Sequence, residues 1–330
     1  MLPMQPSDIF FNEHGRLRSG WRLAVFGGIF LVATSFVSAI LVFALVLAYG
    51  PDKAQAILEG SWGFAAQEFI FLVAAVGIGF LCQKLFEDLP PRALGWALHT
   101  RWLRDWFIGS LFGAGTLILA ALVATISGGF SFTLTAPQMF PAVLQTLVFS
   151  CLVFIFAAAS EEALFRGYPL QTMTRAKLIL VGIVITSLAF ALAHQGNPNQ
   201  DISKAVRVLA FTNTALAGVW LAVAYLRTRS LWLPLGLHWA WNWMMAAVLG
   251  LPVSGITNLT PHPLMRAKDL GPVWVTGGAY GIEGGAACTV ALLLSTILIW
   301  RTKLLSPTQE MKELTSHEIP KQPQPRWLPD

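Results

Sequence analysis

Long apolar runs alternate with short polar connections along the whole chain. Eight of these runs reach, or approach, the roughly 20 residues that carry a helix across a bilayer. They lie at about 22–49, 63–83, 106–126, 141–165, 178–195, 207–226, 231–250 and 286–300. The pattern predicts an all-α fold, a polytopic transmembrane helix bundle of about eight spans. The last run is short and follows the glycine-rich stretch Gly277–Gly285, so its start is the least defined.

Composition supports this reading. Of the 330 residues, 55% are hydrophobic and only 12% are charged, against about 25% charged in an ordinary soluble domain. Cys82, Cys151 and Cys288 all fall in or beside apolar runs, and no CxxC pair occurs, so they read as small buried hydrophobes and not as a disulfide framework. The first run reads as an anchor, because about 20 mostly polar residues precede it without a small-residue cleavage site.

The net charge of +5 does not point to nucleic acid, because the basic residues sit beside apolar runs and orient the chain there. Arg16, Arg18 and Arg22 precede the first run. Lys84, Arg92, Arg101 and Arg104 fill the second connection, while the first has only Lys53 and the third has none. Arg166, Arg175 and Lys177, then Arg227 and Arg229, then Arg301, Lys303, Lys312, Lys321 and Arg326 continue the alternation. Both termini are expected in the cytoplasm. Lys204 with Arg207, and Arg266 with Lys268, are exceptions on the outer side.

Four stretches are expected: an N-terminal arm with three spans over 1–141, a core over 142–250, an outer loop with the last span over 251–305, and a disordered proline-rich tail over 306–330. No internal repeat is visible.

An ionisable side chain near the bilayer centre costs about 2.5–3.5 kcal/mol on insertion scales, so polar groups inside the spans need a reason. Three clusters stand out. In Ser160-Glu161-Glu162-Ala163-Leu164-Phe165-Arg166, Glu162 and Arg166 are four residues apart, a favourable ion-pair spacing. Adjacent carboxylates point about 100° apart on a helix, so Glu161 and Glu162 are expected to face different partners. Alone, this cluster equally describes a helix end at the water interface. Phe190 and His194 share a face of the fifth run, where a lone histidine is also an ordinary structural residue. His238 and Asn242 share a face of the seventh, among Trp232, Trp239, Trp241 and Trp243, which could also form an interfacial aromatic belt. Taken together, two carboxylates, two histidines, an arginine and an asparagine can satisfy one another and hold a water. A base and oxyanion donors of this kind suit peptide hydrolysis.

The three motifs Glu-Glu-x-x-x-Arg, Phe-x-x-x-His and His-x-x-x-Asn, in that order on successive apolar helices, resemble the CPBP family. This is the group of CAAX-processing endopeptidases and bacteriocin-processing or immunity proteins, also called the Abi family. The resemblance covers about residues 142–250. It implies an intramembrane endopeptidase in which Glu161, assisted by His194, activates water, Arg166 anchors Glu162, and His238 and Asn242 stabilise the oxyanion. It also leaves zinc possible, with Glu161, His194 and His238 as candidate ligands, although the His-Glu-x-x-His helix of the usual zinc proteases is absent. The implied substrate is a membrane-associated peptide or protein, CAAX-like or a precursor, met within the lipid bilayer. The stretch Gly20-Trp21-Arg22 is similar to bacterial members and suggests a bacterial cytoplasmic membrane.

Two other readings remain. One is a non-catalytic scaffold or immunity-type protein of the same fold. The other is a proton-coupled transporter, which needs further ionisable groups along a path; only Glu68 and Glu283 offer themselves, and both are equally explained by helix ends. A rhomboid-type serine site is not matched by Gly250-Leu-Pro-Val-Ser254-Gly255, and paired intramembrane aspartates are absent. One geometric conflict stands. If the fourth span ends at 165, Glu161 lies at the inner face, while His194 lies about 25 Å away, towards the outer face. The site can form only if the segment 166–177 is itself membrane-embedded, or if the fifth helix starts deeper or is strongly tilted.

Overall fold

The computed structural model describes residues 9–13, 15–197 and 202–316. Its long helices are α1 (Ser19–Tyr49), α3 (Ser61–Glu87), α4 (Trp102–Ile126), α5 (Phe140–Glu161), α7 (Ile179–Ala193) and α8 (Lys204–Thr228). A short α2 (Pro51–Glu59) joins the first two. A π-helical turn, Glu162–Gly167, links α5 to α6 (Tyr168–Arg175). The expected seventh and eighth spans appear as the shorter α9 (Trp232–Trp243), extended by a second π turn over Met244–Val248, and α11 (Ala286–Arg301). Beyond them lie the single turn α10 (Val273–Thr276) and a terminal α12 (Gln309–Thr315).

Six helical segments are long and apolar enough to cross a membrane, and the shorter α11 is apolar as well. Their outward faces carry leucine, valine and phenylalanine, such as Leu31, Val32, Phe36 and Leu47 on α1, which is what helices solvated by lipid require. Cys82, Cys151 and Cys288 are free thiols, as expected.

The conflict over depth is resolved by a longer fourth segment. The helix does not stop at 165; it runs on through the π turn and α6 as one 39-residue segment, Pro137–Arg175. Gly167 breaks its regular path (φ −67°, ψ −128°), and Pro169 sits in the first turn of α6, where a missing N–H does no harm. Almost all of α6 is buried, so the segment 166–175 is embedded in the bundle, while Lys177 at the bend is exposed. α7 then turns back antiparallel. Counted from the bend at 176–178, Glu161 and His194 lie at nearly the same height, 15 and 16 residues away, about 23 Å of helical rise.

α9 is gripped from two sides. Against α4, glycines allow backbone to meet backbone: a Cβ on Gly113 would overlap the Leu237 carbonyl, and one on Gly236 would overlap that of Trp106. Against α5, the indoles of Trp239 and Trp243 donate to the carbonyls of Cys151 (3.1 Å) and Leu147 (3.0 Å). Trp241 donates to Glu283 Oε1 (2.9 Å) and Trp232 to the Ala97 carbonyl (3.0 Å). The tryptophans therefore serve helix packing instead of an aromatic belt. Their indole N–H groups need acceptors in an apolar interior and find them on neighbouring elements.

At the basic end of the bundle, Glu87 is fully buried. It accepts from Arg22 Nη1 (2.9 Å), Thr172 Oγ1 (2.8 Å) and Arg175 Nη2 (2.5 Å). Two arginines read from the sequence as orientation signals thus also tie α1 and α6 to α3. At the opposite end, β1 (Phe130–Leu134) pairs antiparallel with β2 (Met265–Asp269), Phe130 opposite Asp269. This ribbon is a small departure from the all-α expectation, and it holds the basic exceptions Arg266 and Lys268.

The tail also departs from expectation. Residues 306–316 are ordered. α12 is capped by the Thr308 hydroxyl accepting from the Met311 N–H (3.2 Å), and Leu305 and Met311 are buried. Glu310 pairs with Arg92, and Arg227 donates to the carbonyls of Thr302 and Leu305 (2.6 Å each). The remainder of the expected disordered tail, 317–330, lies outside the described residues, as do residues 1–8 of the N-terminal arm.

Candidate active site

The three sequence motifs converge. Glu161 closes α5, Glu162 and Arg166 lie in the π turn that follows, His194 caps α7, and His238 and Asn242 lie on α9. Single π turns inside α-helices are rare and concentrate at functional sites. Here the turn places both glutamates against α9.

Glu162 and Arg166 form the expected ion pair, Nη1 to Oε1 at 3.2 Å, and both side chains are buried. The guanidinium lies over the Phe190 ring, 4.4 Å from its centroid, a cation–π contact in a dry environment. The same Glu162 Oε1 lies 2.8 Å from His238 Nδ1. An ionised carboxylate can only accept, so Nδ1 carries the proton and Nε2 faces the other way. There it meets Glu161 Oε2 at 3.6 Å. The expectation that the adjacent glutamates serve different partners is therefore wrong. One imidazole meets both, because its two nitrogens lie on opposite edges of the ring.

His194 is oriented by the same logic. Its Nδ1 is 2.8 Å from the Phe190 carbonyl, an obligate acceptor, so Nδ1 donates and Nε2 is turned towards Glu161 Oε2 at 4.0 Å. The Phe190 ring packs on both histidines, with centroids 4.6 Å from His194 and 6.0 Å from His238. Phe190 thus fixes both rings, through its carbonyl and its face.

Glu161 is the most accessible of the charged members, 23% exposed, against 15% for His194, 7% for His238 and none for Glu162. It lines a cavity of about 230 Å³ together with His194, His238 and Asn242. Phe64, Phe71, Phe154, Trp220 and Trp241 supply apolar walls. Glu162 and Arg166 stand behind the wall and hold it in place.

The sequence reading missed part of this cavity. Glu68 is buried in the second turn of α3, where Ser160 donates to its Oε2. Glu283 accepts from the Ser254 N–H (2.6 Å) and hydroxyl (2.7 Å), besides Trp241. Neither is a helix-end residue at the water interface; both line the same cavity as Glu161. Three carboxylates gathered at one cavity are a site, whereas a relay across the membrane would string them along a path. The signal available in the sequence was Glu68 alone among apolar residues, read without its partner Ser160.

Glu161, His194 and His238 are also the candidate zinc ligands. Among the described residues, no group of three or more His, Cys, Asp or Glu side chains is set to hold a metal. The nearest donor atoms, Nε2 of each histidine and Glu161 Oε2, lie 3.6 and 4.0 Å apart. No step below is routed through a metal.

No curated protein and no solved structure matches the chain. Residues 143–244, just under a third of the chain, match the family model described as Type II CAAX prenyl endopeptidase Rce1-like. All six candidate residues fall inside that stretch. The stretch that resembles the Rce1-like type II CAAX prenyl endopeptidases is thus the one that carries the three motifs, within a polytopic helical bundle.

Proposed function

We propose that the protein is an intramembrane endopeptidase that hydrolyses a peptide bond of a membrane-associated substrate, with Glu161 as general base. The observation that carries the reading is the meeting of two histidine Nε2 atoms at Glu161 Oε2, a buried oxygen that makes no hydrogen bond among the described residues. A water held between these groups has a carboxylate to take its proton and an imidazole to orient it.

In this mechanism Glu161 takes a proton from that water as its oxygen attacks the scissile carbonyl carbon. His194, held by the Phe190 carbonyl, positions the water through Nε2. The Asn242 amide and His238, as an imidazolium with Nδ1–H on Glu162 and Nε2–H facing the cavity, stabilise the oxyanion of the tetrahedral intermediate. Its C–N bond then breaks, and the proton held by Glu161 passes to the leaving amine. The Glu162–Arg166 pair does not touch substrate; Glu162 holds the His238 ring in one orientation and supports its charge.

The basic residues of alternate connections put both termini in the cytoplasm, and the likeness of Gly20-Trp21-Arg22 to bacterial members supports a bacterial cytoplasmic membrane. The substrate is a CAAX-like tail or a peptide precursor that reaches the cavity from the bilayer.

Purified protein and its Glu161→Gln variant, incubated with membrane-anchored and prenylated peptides and followed by mass spectrometry, test the reading. Cleavage by the wild type alone supports it, and chelator sensitivity would replace the glutamate-activated water by a metal-bound one. Two folded, monodisperse proteins that cut nothing across a broad peptide set would favour the non-catalytic scaffold.

A further inference from the structure

Three carboxylates, Glu68, Glu161 and Glu283, line the cavity, and among the described residues lining it there is no lysine or arginine. Their situations differ. Glu161 is assigned to the water. Glu283 is saturated by three donors from Trp241 and Ser254. Glu68 is 8% exposed, and the only hydrogen bond its carboxyl makes among the described residues is the one from Ser160 to Oε2. Oε1 has no partner among the described residues and is open to the cavity.

A carboxylate withdrawn from bulk water, with one oxygen facing only a cavity, is a costly arrangement, and it becomes favourable when a cation arrives. Glu68 is also fixed relative to the reacting groups, because Ser160 immediately precedes Glu161. Phe64 and Phe71, four residues before and three after Glu68 on α3, line the same cavity. They form an apolar sleeve suited to the methylene stem of a long basic side chain, whose charged head would reach the carboxylate.

The geometry points to Glu68 as a specificity-determining residue that binds a lysine or arginine side chain of the substrate beside the scissile bond. This rests on the endopeptidase reading and narrows it: the substrate is an apolar, membrane-borne peptide with one basic residue near the cut. A free carboxylate is turned away from that corner by like charge.

Binding to the Glu161→Gln protein in neutral detergent separates recognition from turnover. The probe is a fluorescent apolar peptide with a single lysine, moved one position at a time and matched at each by norleucine or glutamate. At one position lysine should bind about tenfold more tightly than norleucine, the scale of one charge-assisted hydrogen bond, with glutamate weaker than either. Adding Glu68→Gln, which keeps the Ser160 bond, should bring lysine and norleucine to within about twofold while leaving norleucine binding unchanged.

Equal binding of the three peptides at every position, or a lysine preference that survives Glu68→Gln, would overturn the assignment. The glutamate comparison needs no further variant, so it decides even if Glu68→Gln misfolds. A Glu68-dependent preference in a protein whose wild type cleaves nothing would count against the protease reading alone. Cleavage without preference would count against Glu68 alone.

Discussion

His238 Nδ1 lies 2.8 Å from Glu162 Oε1 while its Nε2 lies 3.6 Å from Glu161 Oε2, so one ring joins a fully buried carboxylate to a more accessible one. In the proposed mechanism the two neighbouring glutamates have different tasks. Glu161→Gln keeps the shape but removes the base. Turnover should fall about 10²–10⁴-fold with little change in KM, as loss of a general base does. A progress-curve assay on a cleaved peptide checks this; equal loss on Glu161 and on a distant surface carboxylate would contradict it.

Removing either partner of the Glu162–Arg166 pair strands a charge in the interior. Arg166→Leu should destabilise the fold by about 3–5 kcal/mol. Glu162→Gln should chiefly lower kcat, by about 10²-fold or more, because an amide no longer supports the protonated, oriented His238 ring. The double variant should be more stable than the sum of the two predicts. Thermal unfolding in detergent and kcat measured side by side distinguish these effects.

Gly113 and Gly236 allow α4 and α9 to touch backbone to backbone. Gly236→Ala should push α9 outward and destabilise the protein by about 1–3 kcal/mol, as overpacking does. It should also lower activity by displacing His238 two residues along. An alanine variant with wild-type melting and wild-type rate would show that the two helices do not pack this closely.

His99, in the connection between α3 and α4, is 1% exposed, and its Nε2 lies 3.1 Å from Ser230 Oγ. Burial holds its pKa below the ordinary value of 6.5. The folded state therefore prefers the neutral ring. That contribution to stability is complete above about 6.5 and is lost as pH falls below it, because the unfolded chain takes up the proton first. Between about pH 7.5 and about pH 5.5 the wild type should lose more thermal stability than His99→Gln, as histidine titration requires. Parallel melting curves across that range would refute the assignment.

Much of this was legible beforehand, and the parts that were not share a cause. Apolar run length located every long helix, because a bilayer imposes a length on any segment that crosses it. The six candidate residues were legible as a cluster because polar groups inside apolar runs are few. The end of the fourth helix was misplaced because Arg166 looked like a boundary, whereas its charge is cancelled locally by Glu162. Arg175 and Arg22 looked like interface residues for the same reason; their partner Glu87 is remote in sequence, and a buried ion pair leaves no local pattern. Glu68 was passed over because Ser160, its partner, lies on another helix. Ordered residues 306–316 were hidden by the prolines around them, since the arginines that hold the segment, Arg92, Arg101 and Arg229, come from two remote connections.

The antiparallel pairing of the π turn and α6 with α7 carries a consequence for what the proposed protease can cut. Glu161 and His194 stand 15 and 16 residues from the bend at 176–178, about 23 Å of helical rise on either side. The bend works as a fixed ruler. A peptide bond is eligible by how far it is immersed, not only by the residues around it, and lengthening or shortening a substrate's anchor by one helical turn should shift the cut along the chain by a similar number of residues.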